Sequence, residues 1–337
     1  MNSIYSQVVN PNQEFSIVGG LRSHGERIRI LILGAFGFIG TNILKFIDDY
    51  LSGQYEVVVF DRTNKHPKGV KINSISKVYT GDITSTLDIE NIFRNEAEFD
   101  VVLHLVTTTV PAASNDYRYD IETNLISTIQ LLEMCKKYKA HKIIYLSSGG
   151  TVYGFQTHMP IDEETLAIPI NHYGNLKLCI ENTFRTFNKQ FNTNVIIARI
   201  ANPYGPGQDY SKGVGFIDAA LKRAIHNQTI EIWGDGTVIR DYIYIDDVCH
   251  MLASLIYYEG KESVFNISSN SGVSQNEIIK IIHKMVPDIS VKYLPARSVD
   301  VPAIILNNTK ILSVCKEQCI EIEEGITKYY KYLQNLI

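Results

Sequence analysis

A tyrosine and a lysine stand four residues apart at Tyr173 and Lys177, in a segment with helical spacing. Residues i and i+4 of an α-helix share a face, so both side chains can act on one substrate atom. The pKa of a free phenol is about 10, and a neighbouring cation lowers it. The pair therefore predicts a tyrosine that exchanges a proton with a substrate. The alternative is an exposed Tyr and Lys on an ordinary amphipathic helix.

A glycine-rich turn decides between these interpretations. It lies between a predicted strand, residues 28–33, and a predicted helix, residues 38–50. Its three glycines allow a tight turn, close approach of the backbone to a pyrophosphate, and packing of helix on strand. The positive N-terminus of the helix then favours phosphate. The predicted cofactor contacts in this loop are Gly34, Phe36, Gly37, Phe38, Ile39 and Gly40.

The dinucleotide is predicted to be NAD. Asp61 ends the next predicted strand about 20 residues after the last glycine, where a carboxylate binds the ribose hydroxyls. That carboxylate repels the 2′-phosphate of NADP, whereas the adjacent Arg62 favours it. NADP is therefore the open alternative.

The order of elements predicts an α/β fold, a doubly wound parallel sheet of the Rossmann type with a smaller mixed α/β substrate lobe. Near-continuous apolar strands suit a sheet covered on both faces. The predicted strands are residues 28–33, 56–60, 101–105, 142–146 and 195–200, and the predicted helices are 38–50, 120–138 and 173–189. The predicted domains are an extension at 1–26, a dinucleotide domain at 27–200, and a substrate lobe at 201–337 from which about 240–258 returns to the first domain.

Composition excludes several classes of protein. The chain has 337 residues and a net charge of −4, so it offers no broad basic field for nucleic acid. The longest apolar stretch is too short to span a bilayer, and the N-terminal residues do not resemble a secretory signal. We therefore expect a cytoplasmic protein without membrane or nucleic-acid partners. Five scattered cysteines, including Cys315 and Cys319, lack the further ligands of a metal site, and no metal is predicted.

The segment from Ser147 to Gly154 closely resembles the S-S-x-x-T-V-Y-G segment of the extended short-chain dehydrogenase/reductase superfamily, notably its UDP-glucose (UDP-galactose) 4-epimerases. The G-x-x-G-x-x-G spacing and the Tyr-x-x-x-Lys pair belong to the same superfamily. The resemblance spans roughly residues 27–310. It implies an NAD-dependent enzyme that inverts C4 of a nucleotide sugar through a transient 4-keto intermediate, as in polysaccharide biosynthesis.

The resemblance also implies roles for residues outside the two motifs. Asp82 and Ile83 would frame the adenine, and Asn124 would support the active site. Asn202 would contact the substrate, and Arg240 the diphosphate. Arg297 and Asp300 would hold the second phosphate and the ribose. A planar guanidinium pairs well with phosphate oxygens. The less favoured alternative is that Arg240 forms a local ion pair with Asp241 on a surface strand and that Arg297 is a solvated loop residue. Trp233, Phe216 and Tyr204 are interpreted as core aromatics.

One position departs from the family pattern: relatives carry a hydroxyl that bonds the sugar oxygen where this chain has Gly149. We expect Thr151 to replace it, because alternation along a continuing strand would put residues 149 and 151 on one side. Ser148 is the competing candidate.

Ile304 stands where relatives restricted to plain hexoses have a bulky Tyr. We therefore expect space for an N-acetyl group, so that UDP-hexoses and UDP-N-acetylhexosamines are both accepted. The runner-up function is a reductase of an NDP-4-keto-6-deoxysugar that consumes NAD(P)H through the same Tyr and Lys. A non-catalytic NAD-binding regulator is less favoured because both residues are retained. By analogy with relatives, helices 120–138 and 173–189 predict a homodimer.

Overall fold

A computed structural model describes residues 27–64, 72–96, 98–111, 114, 116–212, 214–296 and 301–336. Its strands are β1 (Ile28–Leu33), β2 (Tyr55–Asp61), β3 (Ile75–Thr80), β4 (Val101–His104), β5 (Lys142–Ser148), β6 (Asn194–Ile200), β7 (Asn202–Tyr204), β8 (Ile230–Trp233), β9 (Ile239–Tyr244), β10 (Val264–Ile267), β11 (Gly272–Ser274), β12 (Val291–Leu294) and β13 (Ala303–Ile304).

The helices are α1 (Phe38–Tyr50), α2 (Thr86–Glu96), α3 (Tyr117–Asp120), α4 (Ser127–Lys137), α5 (Gly149–Val152), α6 (His172–Phe191), α7 (Phe216–Ile225), α8 (Ile245–Tyr257), α9 (Gln275–Met285), α10 (Thr309–Cys315) and α11 (Ile322–Gln334). A π-helical segment, Ile121–Ile126, joins α3 to α4, and a 3₁₀ turn spans Tyr210–Lys212. None of the helices in the described residues has the length and hydropathy needed to cross a bilayer.

A seven-stranded parallel sheet in the order β10-β6-β5-β4-β1-β2-β3 forms the centre of the molecule. Its central strands are apolar almost throughout, because the hydrophobic core on one face includes α1 and α8 and the core on the other includes α2, α4 and α6. The predicted doubly wound Rossmann sheet is therefore confirmed. Chain order reverses between β1 and β4, where ligands of such sheets bind beyond the carboxyl ends of the strands.

The smaller lobe is built on β9, which pairs with β7, β11 and β13, together with the two-stranded sheet of β8 and β12. Helices α7, α9 and α11 enclose a separate core there. The chain returns to the central sheet in two pieces: α8 packs against α1, and β10 pairs with β6. The second piece, residues 264–267, lies beyond the return predicted for about 240–258.

Other element boundaries also differ from the predictions. The helix predicted over 120–138 begins at Tyr117 and contains the π-helical segment. Strand β5 runs two residues past its predicted end, to Ser148, and a helical turn follows at once. The sequence patterns do not predict β3 and α2, because neither element has a long apolar pattern. Strand β3 lies at the edge of the sheet and is half-exposed, and α2 buries only three side chains.

Candidate active site

A cleft of about 520 Å³ lies between the two lobes, beyond the carboxyl ends of β4, β5 and β6. The central sheet and its helices contribute the side that holds the Tyr-Lys pair. The smaller lobe contributes aromatic and polar side chains opposite. Lining residues from the first side include Phe38, Ile39, Thr107, Ser147, Ser148, Tyr173 and Lys177, and those from the second include Asn202, Gln208, Phe216, Trp233, Arg240 and Tyr242.

Tyr173 and Lys177 both lie in this cleft, near the start of α6. Asn171 caps the helix by accepting a hydrogen bond from the Gly174 amide at 2.8 Å. The Lys177 ammonium donates to the carbonyl oxygen of Leu146 at 3.2 Å and lies 5.8 Å from the centre of the Tyr173 ring. The helix thus delivers a phenol and a fixed cation to one end of the cleft.

Burial shifts the pKa of both groups away from their charged forms. It raises the pKa of Tyr173 to about 12, with a hydrogen bond from Thr107 acting weakly in the opposite direction. It lowers the pKa of Lys177 to about 8, against the attraction of the Glu181 carboxylate. In the protein without a cofactor, the pKa of Tyr173 therefore lies above its ordinary value even with Lys177 close by. An oxidised nicotinamide beside Tyr173 would add positive charge and lower that pKa.

The two hydroxyls at the end of β5 occupy different environments. Ser147 is buried and donates to Glu181 Oε1 at 2.6 Å. Glu181 is itself held by the buried Arg199 guanidinium at 2.7 Å. Ser148 lines the cleft, and its hydroxyl makes no capping hydrogen bond to the turn that follows. Between these two serines, Ser148 is therefore the one whose hydroxyl is left available to a ligand in the cleft.

The argument for Thr151 is corrected by the structure. Residues 149–152 form a helical turn instead of continuing β5, so strand alternation does not apply to Gly149 and Thr151. A Cβ at Gly149 would lie 2.3 Å from Leu306 Cδ1, so this position faces the packed interior. Thr151 is not among the cleft-lining residues, and its hydroxyl is buried without a hydrogen-bond partner in the described part of the chain.

The phosphate loop has the form that a pyrophosphate requires. Gly34 has φ +80°, and a Cβ on Gly40 would lie 2.4 Å from the Gly34 carbonyl oxygen, so neither position has room for a side chain. Helix α1 begins after Gly37 with no side-chain cap, which leaves its first amides to a ligand. Phe38 and Ile39 line the cleft directly. These residues fit NAD.

The carboxylates near the loop are already hydrogen-bonded to backbone. Asp61 accepts the Phe36 amide at 2.9 Å, which ties β2 to the loop and leaves its other oxygen for a ribose. Asp82 accepts the Thr84 amide at 2.9 Å, and this hydrogen bonding lowers the pKa of Asp82. Arg62 is exposed and Ile83 is buried.

Asn124 holds the segment that follows β4. It lies in the π-helical segment, accepts the Thr108 amide at 2.9 Å, and donates to the Thr108 hydroxyl at 2.7 Å. Its side chain thereby fixes the backbone beside Thr107, the residue that bonds Tyr173.

The structure separates the predicted substrate residues. Asn202 and Arg240 line the cleft; Asn202 donates to the Asp241 carbonyl at 2.8 Å, and Arg240 to that of Val301 at 2.7 Å. Ile304 is 2% exposed, packs in the hydrophobic core and is not among the cleft-lining residues, so its prediction as the gate for an N-acetyl group is wrong. Arg297 and Asp300 lie outside the described residues.

Trp233 and Phe216 were interpreted as core aromatics, yet both line the cleft, and Trp233 is 41% exposed. Strand β8 alternates buried Ile230 and Ile232 with exposed Glu231 and Trp233. The polar Glu231 in that alternation was the signal that Trp233 faces away from the core. Tyr204 is 2% exposed and reaches the cleft from the core.

The cysteines show no metal chemistry in the described residues, where no group of three His, Cys, Asp or Glu side chains could hold a metal ion. Cys315 and Cys319 are free, and burial raises the pKa of the Cys315 thiol to about 11.

Known proteins resemble this chain over nearly its whole length. It is 31% identical to a putative UDP-glucose 4-epimerase from Methanocaldococcus jannaschii, over 91% of this chain and 98% of that protein. The solved UDP-glucose 4-epimerase of Thermotoga maritima with UDP-glucose matches with a TM-score of 0.84 and 29% identity, over 91% of this chain and 99% of that one. UDP-glucuronic acid 4-epimerase from Bacillus cereus, solved with UDP-glucuronic acid and NAD, matches with a TM-score of 0.80 and 26% identity, over 92% of this chain and 100% of that one. The model of the NAD dependent epimerase/dehydratase family matches residues 30–268. With its glycine loop, its Tyr-Lys pair and a Rossmann sheet that brings them to one cleft, the chain belongs to this NAD-dependent family.

Proposed function

We propose that the protein is an NAD-dependent 4-epimerase of a UDP-hexose or UDP-N-acetylhexosamine. The observation that carries the proposal is the meeting of Tyr173, Lys177 and Ser148 in one cleft whose other wall belongs to a separate lobe. An acid-base group, a fixed cation and a free hydroxyl are what oxidation and reduction of a sugar alcohol require.

Within the cleft, Tyr173 acts as a phenolate that takes the proton of the sugar O4, and the phenol so formed later returns that proton. Ser148 hydrogen-bonds the same oxygen while its charge develops, and Lys177, held by the Leu146 carbonyl, supplies a positive charge nearby. NAD, when bound at the glycine loop, supplies the acceptor and then the donor of the C4 hydride. Presenting the opposite face of the 4-keto sugar before the hydride returns inverts the stereocentre.

The smaller lobe is proposed to hold the nucleotide. Arg240 offers a guanidinium to the diphosphate, and its bond to the Val301 carbonyl fixes its direction. Trp233 offers an exposed indole ring to the base. The similarity to UDP-glucose 4-epimerases supports a UDP-sugar as the substrate.

The test is to incubate the purified protein with UDP-, dTDP-, GDP- and CDP-sugars and to follow the products by NMR. We expect interconversion of one pair of C4 epimers with no net consumption of added NADH. Stoichiometric loss of NADH with a 4-keto-6-deoxysugar would instead establish the reductase.

We also propose a homodimer through the α4 and α6 layer. Ile121 and Ile126, in the π-helical segment that leads into α4, are 39% and 43% exposed. Sedimentation velocity should show a dimer that Ile126→Glu dissociates; an unmutated monomer at micromolar concentration would refute it.

A further inference from the structure

The side-chain amide of Asn42 bridges the two lobes. Asn42 lies in the second turn of α1 and is 8% exposed. Its Nδ2 donates to the carbonyl of Phe38 at 2.8 Å and to the carbonyl of Pro206, 164 residues away, at 2.9 Å. Both hydrogens of one amide are thus committed, one to the helix that follows the phosphate loop and one to the chain after β7.

Pro206 belongs to a stretch that we call the cleft segment, residues 202–208. Four of its residues, Asn202, Pro203, Tyr204 and Gln208, line the cleft. The smaller lobe holds both ends: Asn202 donates to the Asp241 carbonyl at 2.8 Å, and the Lys222 ammonium donates to the Gln208 carbonyl at 3.0 Å. The middle of the segment is held from the other lobe, by Asn42.

The contact is close on both sides of the hydrogen bond. Gly207 has φ +88°, and a Cβ there would lie 3.6 Å from Asn42 Nδ2 and 3.8 Å from Phe38 Cδ2. Phe38 is the first residue of α1 and itself lines the cleft. The first turns of α1 and the middle of the cleft segment therefore lie next to each other, at a separation that one added methyl carbon would fill.

We propose that Asn42 is a positioning residue that couples the two ligand sites, so that binding of the dinucleotide at the start of α1 strengthens binding of the sugar nucleotide along the cleft segment, and the reverse. The identity of the two ligands rests on the proposed function. Coupling is reciprocal, since each ligand favours the same arrangement of the bridge. A buried neutral hydrogen bond contributes enough to make the effect about three- to tenfold in affinity.

The experiment measures the Kd of UDP with and without saturating NAD⁺, and the ratio of the two values is the coupling factor. Trp233 is the single tryptophan and lines the cleft, so its fluorescence reports UDP binding. The test variant is Asn42→Leu, which keeps the branched shape of the side chain and removes the donor. Asn42→Ala serves if the larger Leu side chain prevents folding. The matched control is Asn308→Leu, because Asn308 is 4% exposed and its amide donates to the Ser268 carbonyl at 2.9 Å, away from the cleft.

We expect the coupling factor to fall three- to tenfold in the Asn42 variant and to stay within twofold in the Asn308 variant, although both lose thermal stability. Hydrogen exchange of the cleft segment in the NAD⁺-bound protein should rise only in the Asn42 variant. Equal coupling factors in all three proteins, or a coupling factor of one in the unmutated chain, would overturn the proposal.

The measurements of UDP affinity and hydrogen exchange do not depend on catalytic activity. Failure to epimerise any sugar would refute the proposed function while leaving the coupling result intact. If the function holds, Asn42→Leu should also raise the KM for the sugar nucleotide by the same factor with kcat within twofold.

Discussion

Ser148→Ala removes the cleft-lining hydroxyl of β5 that is not already committed to another side chain. Ser147 is committed to Glu181 at 2.6 Å, and Thr151 lies off the cleft, so no neighbouring hydroxyl of this segment can take over. A hydrogen bond aimed at the developing charge on the sugar O4 contributes roughly 2.7–4 kcal/mol to the transition state. We therefore expect kcat to fall by roughly a hundred- to a thousandfold, with little change in KM.

Thr151→Val is the matched control. The Thr151 hydroxyl is buried and has no hydrogen-bond partner among the described residues. Exchanging it for a methyl group of the same shape relieves an unsatisfied polar group. The variant should keep its turnover within about twofold and unfold at the same or a higher temperature.

The assay follows conversion of one C4 epimer into the other by NMR, with equal amounts of NAD-loaded protein and thermal melts to confirm folding. The opposite ranking, with Thr151→Val crippled and Ser148→Ala near normal, would show that the helical turn at 149–152 does not exclude Thr151 from the substrate. Near-normal turnover in both variants would remove the serine from the mechanism.

Tyr173→Phe should lower turnover at least a hundredfold while NAD binding stays intact. Calorimetry measures NAD binding and the NMR assay measures turnover; an active Phe variant contradicts proton transfer by the phenol. Burial lowers the pKa of Lys177 to about 8, so the unfolded chain binds this proton more tightly than the folded protein does. The charged lysine therefore destabilises the folded protein at every pH below 8, and this loss is recovered as the pH rises from 8 towards the pKa of an unfolded lysine. Lys177→Met should abolish turnover yet raise the melting temperature at pH 7. Asp61→Asn keeps an acceptor for the Phe36 amide but replaces the second carboxylate oxygen with an amide NH₂ and removes the negative charge. NAD should therefore bind more weakly, and the preference for NAD over NADP should narrow; an unmutated protein that binds both equally would reject the assignment. Burial raises the pKa of Asp247 to about 7, so the folded protein binds this proton more tightly than the unfolded chain does. The free energy of unfolding should therefore decline as the pH rises from about 4 through 7. Asp247→Asn can still accept a hydrogen bond from the Ile320 amide, and it should flatten the decline of melting temperature with pH.

Much of the fold can be predicted from the sequence because its strands and turns have local sequence patterns. A strand covered on both faces is apolar at every position, which is why β1, β2, β4, β5 and β6 were predicted within two residues of their ends. Gly34 and Gly40 mark a turn that favours glycine, because Gly34 has a positive φ and Gly40 has no room for a Cβ. A four-residue spacing places Tyr173 and Lys177 on one face wherever the helix lies. Sheet edges such as β3, half-exposed and polar, carry no such signal.

Tertiary structure decided which side chains face the ligand. The change from strand to helical turn at Gly149 leaves Ser148 on the cleft and Thr151 away from it, and one residue of error in that boundary reverses the direction of a side chain. Packing of β13 on β9 buried Ile304 in the core, whereas β8 turned Trp233 outward into the cleft. The bond from Asn42 to Pro206 spans 164 residues, so no local pattern could have revealed it. Sequence determined which chemical groups the chain carries, and only the packing of the two lobes determined which of them meet.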